Sequence, residues 1–208
     1  MTRIGVLALQ GAFVEHERVL ERLGVEAREV RQRKHLEGID GLIIPGGEST
    51  TIGKLLDTLE MTEPLRAMAR DGLPVWGTCA GLILLASDVG RPQTTLGLLD
   101  IVVRRNAFGS QLDSFETDLD VPALGDEPFH AVFIRAPIIE RAGDDVTRLA
   151  TLPDGTIVAA ERDNLLATAF HPELTADPRF HQYFLEKVAA RGNEGAASPE
   201  LVAVGERT

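Results

Sequence analysis

The chain has 208 residues, 21 Lys+Arg against 32 Asp+Glu, and a formal net charge of −11, with a pI near 4.9. That length suits one domain with a sizeable core, and that charge repels both a phosphate backbone and an anionic bilayer, which excludes nucleic acid and membrane as partners. A single cysteine rules out an internal disulfide, and the N-terminal apolar run is too short for a signal segment. No run approaches the ~18 apolar residues of a membrane span, so a cytoplasmic protein is expected.

"RIGVLALQG" is a near-continuous apolar strand, and "FVEHERVLERLG" follows with Phe13, Val14, Val19, Leu20 and Leu23 on a helical period that ends at Gly24. "VEAREV" and "GLIIPGGEST" repeat the strand signal, the second ending in a Gly-rich turn with Ser49 and Thr50 placed to cap a helix through "TIGKLLDTLE". "EPLRAMARDG" predicts a further helical turn or two before the strand "LPVWGTC". From about Gly97 the strands come closer together: "LDIVVRR", "LDSFETDLDV", "HAVFIRAP", "DVTRLATL", "TIVAAER" and "LLATAF", turned at "PDG" and "RDN". "DPRFHQYFLEKVAAR" closes the fold as a helix with Pro178 at its start.

This order predicts an α/β fold of three layers: a mostly parallel central sheet, helices on both faces, and a smaller antiparallel extension of the same sheet. Residues 1–192 read as a single domain, and 193–208, rich in Gly, Ala and Ser without a period, as a mobile tail.

The lone cysteine sits in "GTCAG". Gly77-Thr78-Cys79-Ala80-Gly81 has the G-x-C-x-G form of a nucleophile elbow, a strand turning sharply into a helix with the nucleophile at the tip. The turn brings the flanking residues into close contact, which favours glycine, and it leaves the backbone N–H of Ala80 free to face an oxyanion. A free cysteine is more often an inert core residue, so the motifs elsewhere decide. "FHPELT" supplies His171 and Glu173, two residues apart after an apolar strand; the carboxylate can fix the tautomer of the imidazole and hold its ring. "IIPGGEST" places Gly46 and Gly47 after a parallel strand, where open α/β sheets bind ligands, and Gly47 can offer a second N–H to the oxyanion. The five histidines are scattered, with no Cys/His ligand spacing, so no metal is expected.

With these pieces in order, the sequence resembles the class I, triad-type glutamine amidotransferases, which have a flavodoxin-like fold. "GVLALQGAFVEH", "GLIIPGGESTT", "GTCAGLILLA", "GLLDIVVRRNAFGSQLDSFE", "FIRAPII" and "FHPELTAD" are together similar to the glutaminase subunits of pyridoxal 5'-phosphate synthase, the PdxT/SNO type, from about Ile4 to about Arg191. The most specific element is "RRNAFGSQLDSFE". "API" continues as Ile138-Ile139 where relatives often carry a histidine.

The resemblance implies Cys79 as nucleophile, His171 as base and Glu173 as its orienting group, with glutamine on Gly47, Glu48, Ser49, Arg105, Ile134 and Arg135. Arg105 suits the α-carboxylate of glutamine and Glu48 its α-ammonium. The implied reaction releases ammonia and glutamate without a cofactor. Its ammonia passes to a separate synthase subunit, an oligomeric (β/α)8 barrel, which activates the glutaminase on docking near Gln10 and the first loop and helix. Two alternatives stand beside this: a glutaminase of another synthase, such as that of imidazole glycerol phosphate synthase, and a non-enzymatic stress protein on a related fold with an oxidisable elbow cysteine.

Overall fold

The computed structural model describes residues 2–105 and 114–196, the side chains of 193–196 excepted. The elements run β1 (Arg3–Leu7), α1 (Phe13–Arg22), β2 (Glu26–Val30), β3 (Gly41–Ile44), α2 (Ser49–Thr58), α3 (Thr62–Arg70), β4 (Val75–Thr78) and α4 (Ala80–Leu85). They continue as β5 (Ala86–Asp88), β6 (Leu99–Arg104), β7 (Ser114–Leu119), β8 (Phe129–Ile134), β9 (Ile138–Ala142), β10 (Thr147–Thr151), β11 (Ile157–Arg162), β12 (Leu165–Thr168) and α5 (Arg179–Ala196).

The parallel part of the main sheet has the order β2-β1-β3-β4-β12. Its strands are short and apolar on both faces: β3, β4 and β12 are buried along their whole length, because helices cover the sheet on both sides. Beyond β12 the order continues β11-β9-β6-β5, antiparallel from β12 to β6, with β10 also pairing β11. The two anticipated turns are present: "PDG" joins β10 to β11, and Asp163 turns β11 into β12 at φ 49°.

Right-handed crossovers make this topology place the site. From β1 the chain crosses through α1 to β2 on one side; from β3 it crosses through α2 and α3 to β4 on the other. The helices of the two crossovers therefore lie on opposite faces, and a crevice opens between the C-terminal ends of β1 and β3. The loops that follow these two strands meet there: the Ala12 N–H donates to the Gly46 carbonyl at 3.0 Å.

Three local expectations change. "LDSFETDLDV" and "HAVFIRAP" do not extend the main sheet; β7 and β8 form a separate antiparallel pair. Exposure alternates along β8, with Phe129, Ala131 and Phe133 buried and His130 exposed between them. Such a ribbon lays one apolar face on a core and keeps the other in water, so it does not belong in a sheet covered on both faces. The N-cap of α2 is Glu48, not Ser49 or Thr50; its longer side chain reaches back to the N–H groups of Thr50 (3.2 Å) and Thr51 (2.7 Å). The closing helix starts at Arg179, just after Pro178, and runs to Ala196, five residues past Arg191, the end of the expected helical stretch. Asn106 to Asp113, the centre of "RRNAFGSQLDSFE", and the tail from Ala197 onward lie outside the described residues.

The hairpin β7–β8 bears on the site through its backbone, since the Val132 carbonyl accepts the N–H of His171 at 2.9 Å. Phe170, one residue earlier, is fully buried against Phe129, Phe133 and Phe180 with ring centroids 5.3 to 5.8 Å apart. Phe170→Ala should therefore destabilise the fold by about 3–5 kcal/mol, read as a lowered urea midpoint at unchanged m-value.

Candidate active site

The β4–α4 turn is built as an elbow. Cys79 sits at φ 49°, ψ −99°, a region that residues with a side chain seldom occupy, so the backbone is strained at the thiol. Its neighbours hold it there. The Cys79 N–H donates to the Thr168 carbonyl of β12 at 2.8 Å. A Cβ on Gly81 would run into the Ile44 carbonyl oxygen, and one on Gly77 into the backbone of Gly81, so both flanking positions require glycine. Ala80 is the first residue of α4, whose early N–H groups have no partner within the helix.

Beside the elbow lies a cleft of about 370 Å³, at the small end of the roughly 300–1,000 Å³ of ligand pockets. Cys79, Ala80, His171, Gly47, Glu48, Ser49, Gln10, Arg105, Ile134 and Arg135 all line it. Ten of the eleven residues singled out from the sequence thus converge on one concavity, from loops after β1, β3, β4, β6, β8 and β12. The eleventh, Glu173, lies behind His171.

The Glu173 Oε1 accepts from the His171 Nδ1 at 2.7 Å, with both residues buried. This leaves Nε2 of the ring free for Cys79, which lines the same cleft. Gly46 lets the ring sit there, since a Cβ on that residue would collide with the His171 Cε1. Burial pulls the His171 pKa down, but the hydrogen bonds to Cys79 and Glu173 and their charges outweigh it and raise the pKa to about 10. For Glu173, burial opposes the charged form, yet His16 and His171 beside it bring the pKa below the ordinary carboxylate value.

On the polar side of the cleft, Glu48 is already engaged. Its carboxylate caps α2, accepts from the hydroxyls of Thr50 (2.6 Å) and Thr51 (2.8 Å), and meets the Arg105 guanidinium at 3.0 Å. Burial works against its charge, but these threonine donors hold the carboxyl well below the usual range. Arg105 also reaches the Gln93 Oε1 at 3.2 Å. Gln10 packs on Gly47, and its Oε1 accepts the Glu48 N–H at 2.7 Å, tying the first loop to the glycine loop. Arg135 is exposed and has φ 44°, the second strained residue at the cleft.

Four further residues line the cleft: Gly11, Ala12, Gly46 and Ile83. Ile83 stands three residues after Ala80 on the same face of α4, a spacing that could have found it. Two histidines behind the cleft, His16 and His181, had no local signal. They are far apart in the chain, yet the His16 Nδ1 lies 3.0 Å from the His181 Nε2, and the His16 Nε2 lies 3.4 Å from the Glu173 Oε2. Among the described residues no cluster could hold a metal ion, and no helix is long and apolar enough to cross a membrane.

Comparison with known proteins places this geometry in a lineage. Residues 6–190 match the SNO glutamine amidotransferase family. The pyridoxal 5'-phosphate synthase subunit PdxT of Herpetosiphon aurantiacus is 61% identical over 186 residues, covering 88% of this chain and 98% of the relative. That of Moorella thermoacetica is 60% identical over 187 residues, covering 89% and 99%. A crystal structure of a glutamine amidotransferase superposes with a TM-score of 0.85 at 51% identity, covering 89% of this chain and 98% of its own. The fold that brings the elbow and the cleft together is thus shared with a solved glutamine amidotransferase, and the chain belongs to the SNO glutamine amidotransferase family.

Proposed function

We propose that the chain hydrolyses the side-chain amide of L-glutamine to glutamate and ammonia, as the glutaminase subunit of a pyridoxal 5'-phosphate synthase. The observation that carries this is the strained Cys79 beside His171, whose ring is held by Glu173 at 2.7 Å, in one cleft. The names of the curated relatives support the synthase assignment.

The chemistry is acyl transfer. The Cys79 sulfur, having passed its proton to His171, attacks the amide carbon of glutamine, and the N–H groups of Ala80 and Gly47 take the oxyanion. His171 then gives its proton to the departing nitrogen, and ammonia leaves a γ-glutamyl thioester. At this point the sulfur no longer carries charge, so the upward pull of Cys79 on His171 disappears while burial remains. The imidazole becomes a base, takes a proton from water, and the hydroxide cleaves the thioester to glutamate and free Cys79. Glu173 keeps the ring in one orientation through both halves. Arg105 takes the α-carboxylate of glutamine, Glu48 its α-ammonium, and Ser49, Ile134 and Arg135 close the cleft around it. No cofactor takes part.

Ammonia released to water at neutral pH is protonated and no longer a nucleophile, so the subunit works by handing it to an acceptor site. Residues 1–192 act as one glutaminase unit, and the acceptor lies on the synthase subunit, an oligomeric (β/α)8 barrel. Gln10 is the candidate link: a partner pressing on the first loop would move the Gly47–Glu48 peptide through the 2.7 Å bond from the Glu48 N–H. The protein then works in the cytoplasm beside its synthase.

Glutamate release from glutamine should be low for the chain alone and rise on adding the synthase, and Cys79→Ala should remove it in both cases. Equal rates with and without synthase would contradict the coupling, and a rate surviving in Cys79→Ala would contradict the nucleophile. In the free protein the His171 ring should keep its second proton through neutrality and lose it near pH 10, seen in its NMR titration. Glu173→Gln removes one upward influence, so the titration should move to lower pH, and kcat should fall by roughly 10²- to 10⁴-fold.

A further inference from the structure

His16 and His181 are fully buried, and the acyl-transfer steps do not use them. His16 comes from α1 and His181 from α5, and their rings meet behind Glu173 with the His16 Nδ1 3.0 Å from the His181 Nε2. On its other side the His16 Nε2 faces two oxygens, the Thr78 Oγ1 at 3.2 Å and the Glu173 Oε2 at 3.4 Å. That carboxylate oxygen is buried, and no described group makes a regular hydrogen bond to it. We propose that His181 and His16 are positioning residues: a one-way hydrogen-bond chain, from the His181 Nε2–H to the His16 Nδ1 and from the His16 Nε2–H to Glu173, holds the carboxylate that orients His171. This rests on the triad proposed above.

The polarity follows from the ends of the chain. With a proton on its Nε2, His16 donates toward the Thr78 hydroxyl and the carboxylate, sharing a forked contact longer than the ~2.9 Å of a single good bond. Its Nδ1 is then an acceptor, so His181 donates from Nε2, and the His181 Nδ1, which is buried without a partner, carries only a lone pair. Reversed, His16 would turn a lone pair toward the carboxylate, and His181 would bury an N–H with nothing to accept it, the costlier kind of orphan. Each ring carries one proton in this arrangement. In keeping with that, burial lowers the pKa of both histidines, against the raising pull of Glu173 on His16.

The rings, tilted 47° to one another, are also packed against a third. Trp76, the only tryptophan, packs edge-on to His181 at 4.8 Å and to His16 at 5.6 Å. Two apolar side chains would fill this space without burying an unmatched nitrogen, and what an apolar pair could not do is present an N–H to the Glu173 Oε2. A carboxylate fixed at both oxygens cannot rotate, and the His171 imidazole bonded to it at 2.7 Å is fixed with it.

The test has two arms. In the unmodified chain labelled with ¹⁵N-histidine, NMR should find His16 and His181 each singly protonated, both on Nε2. A proton on the His16 Nδ1, or a doubly protonated ring, would overturn the proposal without any variant. In the complex with synthase, His16→Phe should lower kcat for glutamate release by roughly 10- to 100-fold while KM for glutamine stays within about twofold. His16→Gln, whose amide offers an N–H near the place of Nε2, should recover most of that loss. His181→Phe should lower kcat by itself but add nothing in the His16→Phe background, the non-additivity expected of one chain. Circular dichroism and urea melts check that the variants fold. A folded His16→Phe with parental kcat, beside an inactive Cys79→Ala, would overturn the positioning role alone; an active Cys79→Ala would overturn the triad itself.

Discussion

A buried carboxylate sets the terms for the rest of this structure. Glu173 is 6% exposed, and an ionised group there is tolerated only where donors surround it. His171 meets one oxygen at 2.7 Å, and His16 stands 3.4 Å from the other. Those two contacts require that α1 and the short turn Pro172–Leu174 meet at one place, with α5 closing behind them through His181. The same carboxylate orients the imidazole beside Cys79. A charge that costs stability in the core is thus retained where its direction matters.

The sheet makes that meeting possible. Parallel strands must be joined by crossovers, and the right-handed rule sends α1 and the pair α2, α3 to opposite faces. The gap left where the chain changes sides is the cleft, and the residues around it, Ile83 of α4 apart, sit at or shortly after the ends of strands. The elbow stores strain at Cys79, and the backbone of β12 and the glycines at 77 and 81 hold it in place. Such positions persist only where surrounding structure over-determines them. Fully buried β3, β4 and β12 provide that rigidity.

Much of this could be read from the chain because the signals were local. "GTCAG" announces a strand-to-helix turn within five residues, "HPE" sets a histidine two residues from its carboxylate, and alternating apolar strands and helices specify the parallel sheet. What escaped depended on contacts between distant segments. Nothing near His16 or His181 announces that they touch, because α1 and α5 are brought together only by the complete sheet. The pair β7–β8 reads as more of the main sheet until the alternation from Phe129 to Ile134 is taken as a sign of one wet face. The family resemblance gives Glu48 to the ligand, whereas its hydrogen bonds also make it the cap of α2, a use that the neighbouring hydroxyl residues disguise.

The central claim is that glutamine reacts at Cys79, and chemical trapping addresses it most directly. The complex with synthase would be incubated with a glutamine analogue bearing an electrophile in place of the amide, and the chain then mapped by peptide mass spectrometry. The account predicts one label per chain, on Cys79, forming in step with the loss of glutamate release and slowed by glutamine. Loss of activity with the label on another residue, or complete labelling of Cys79 with activity intact, would contradict it.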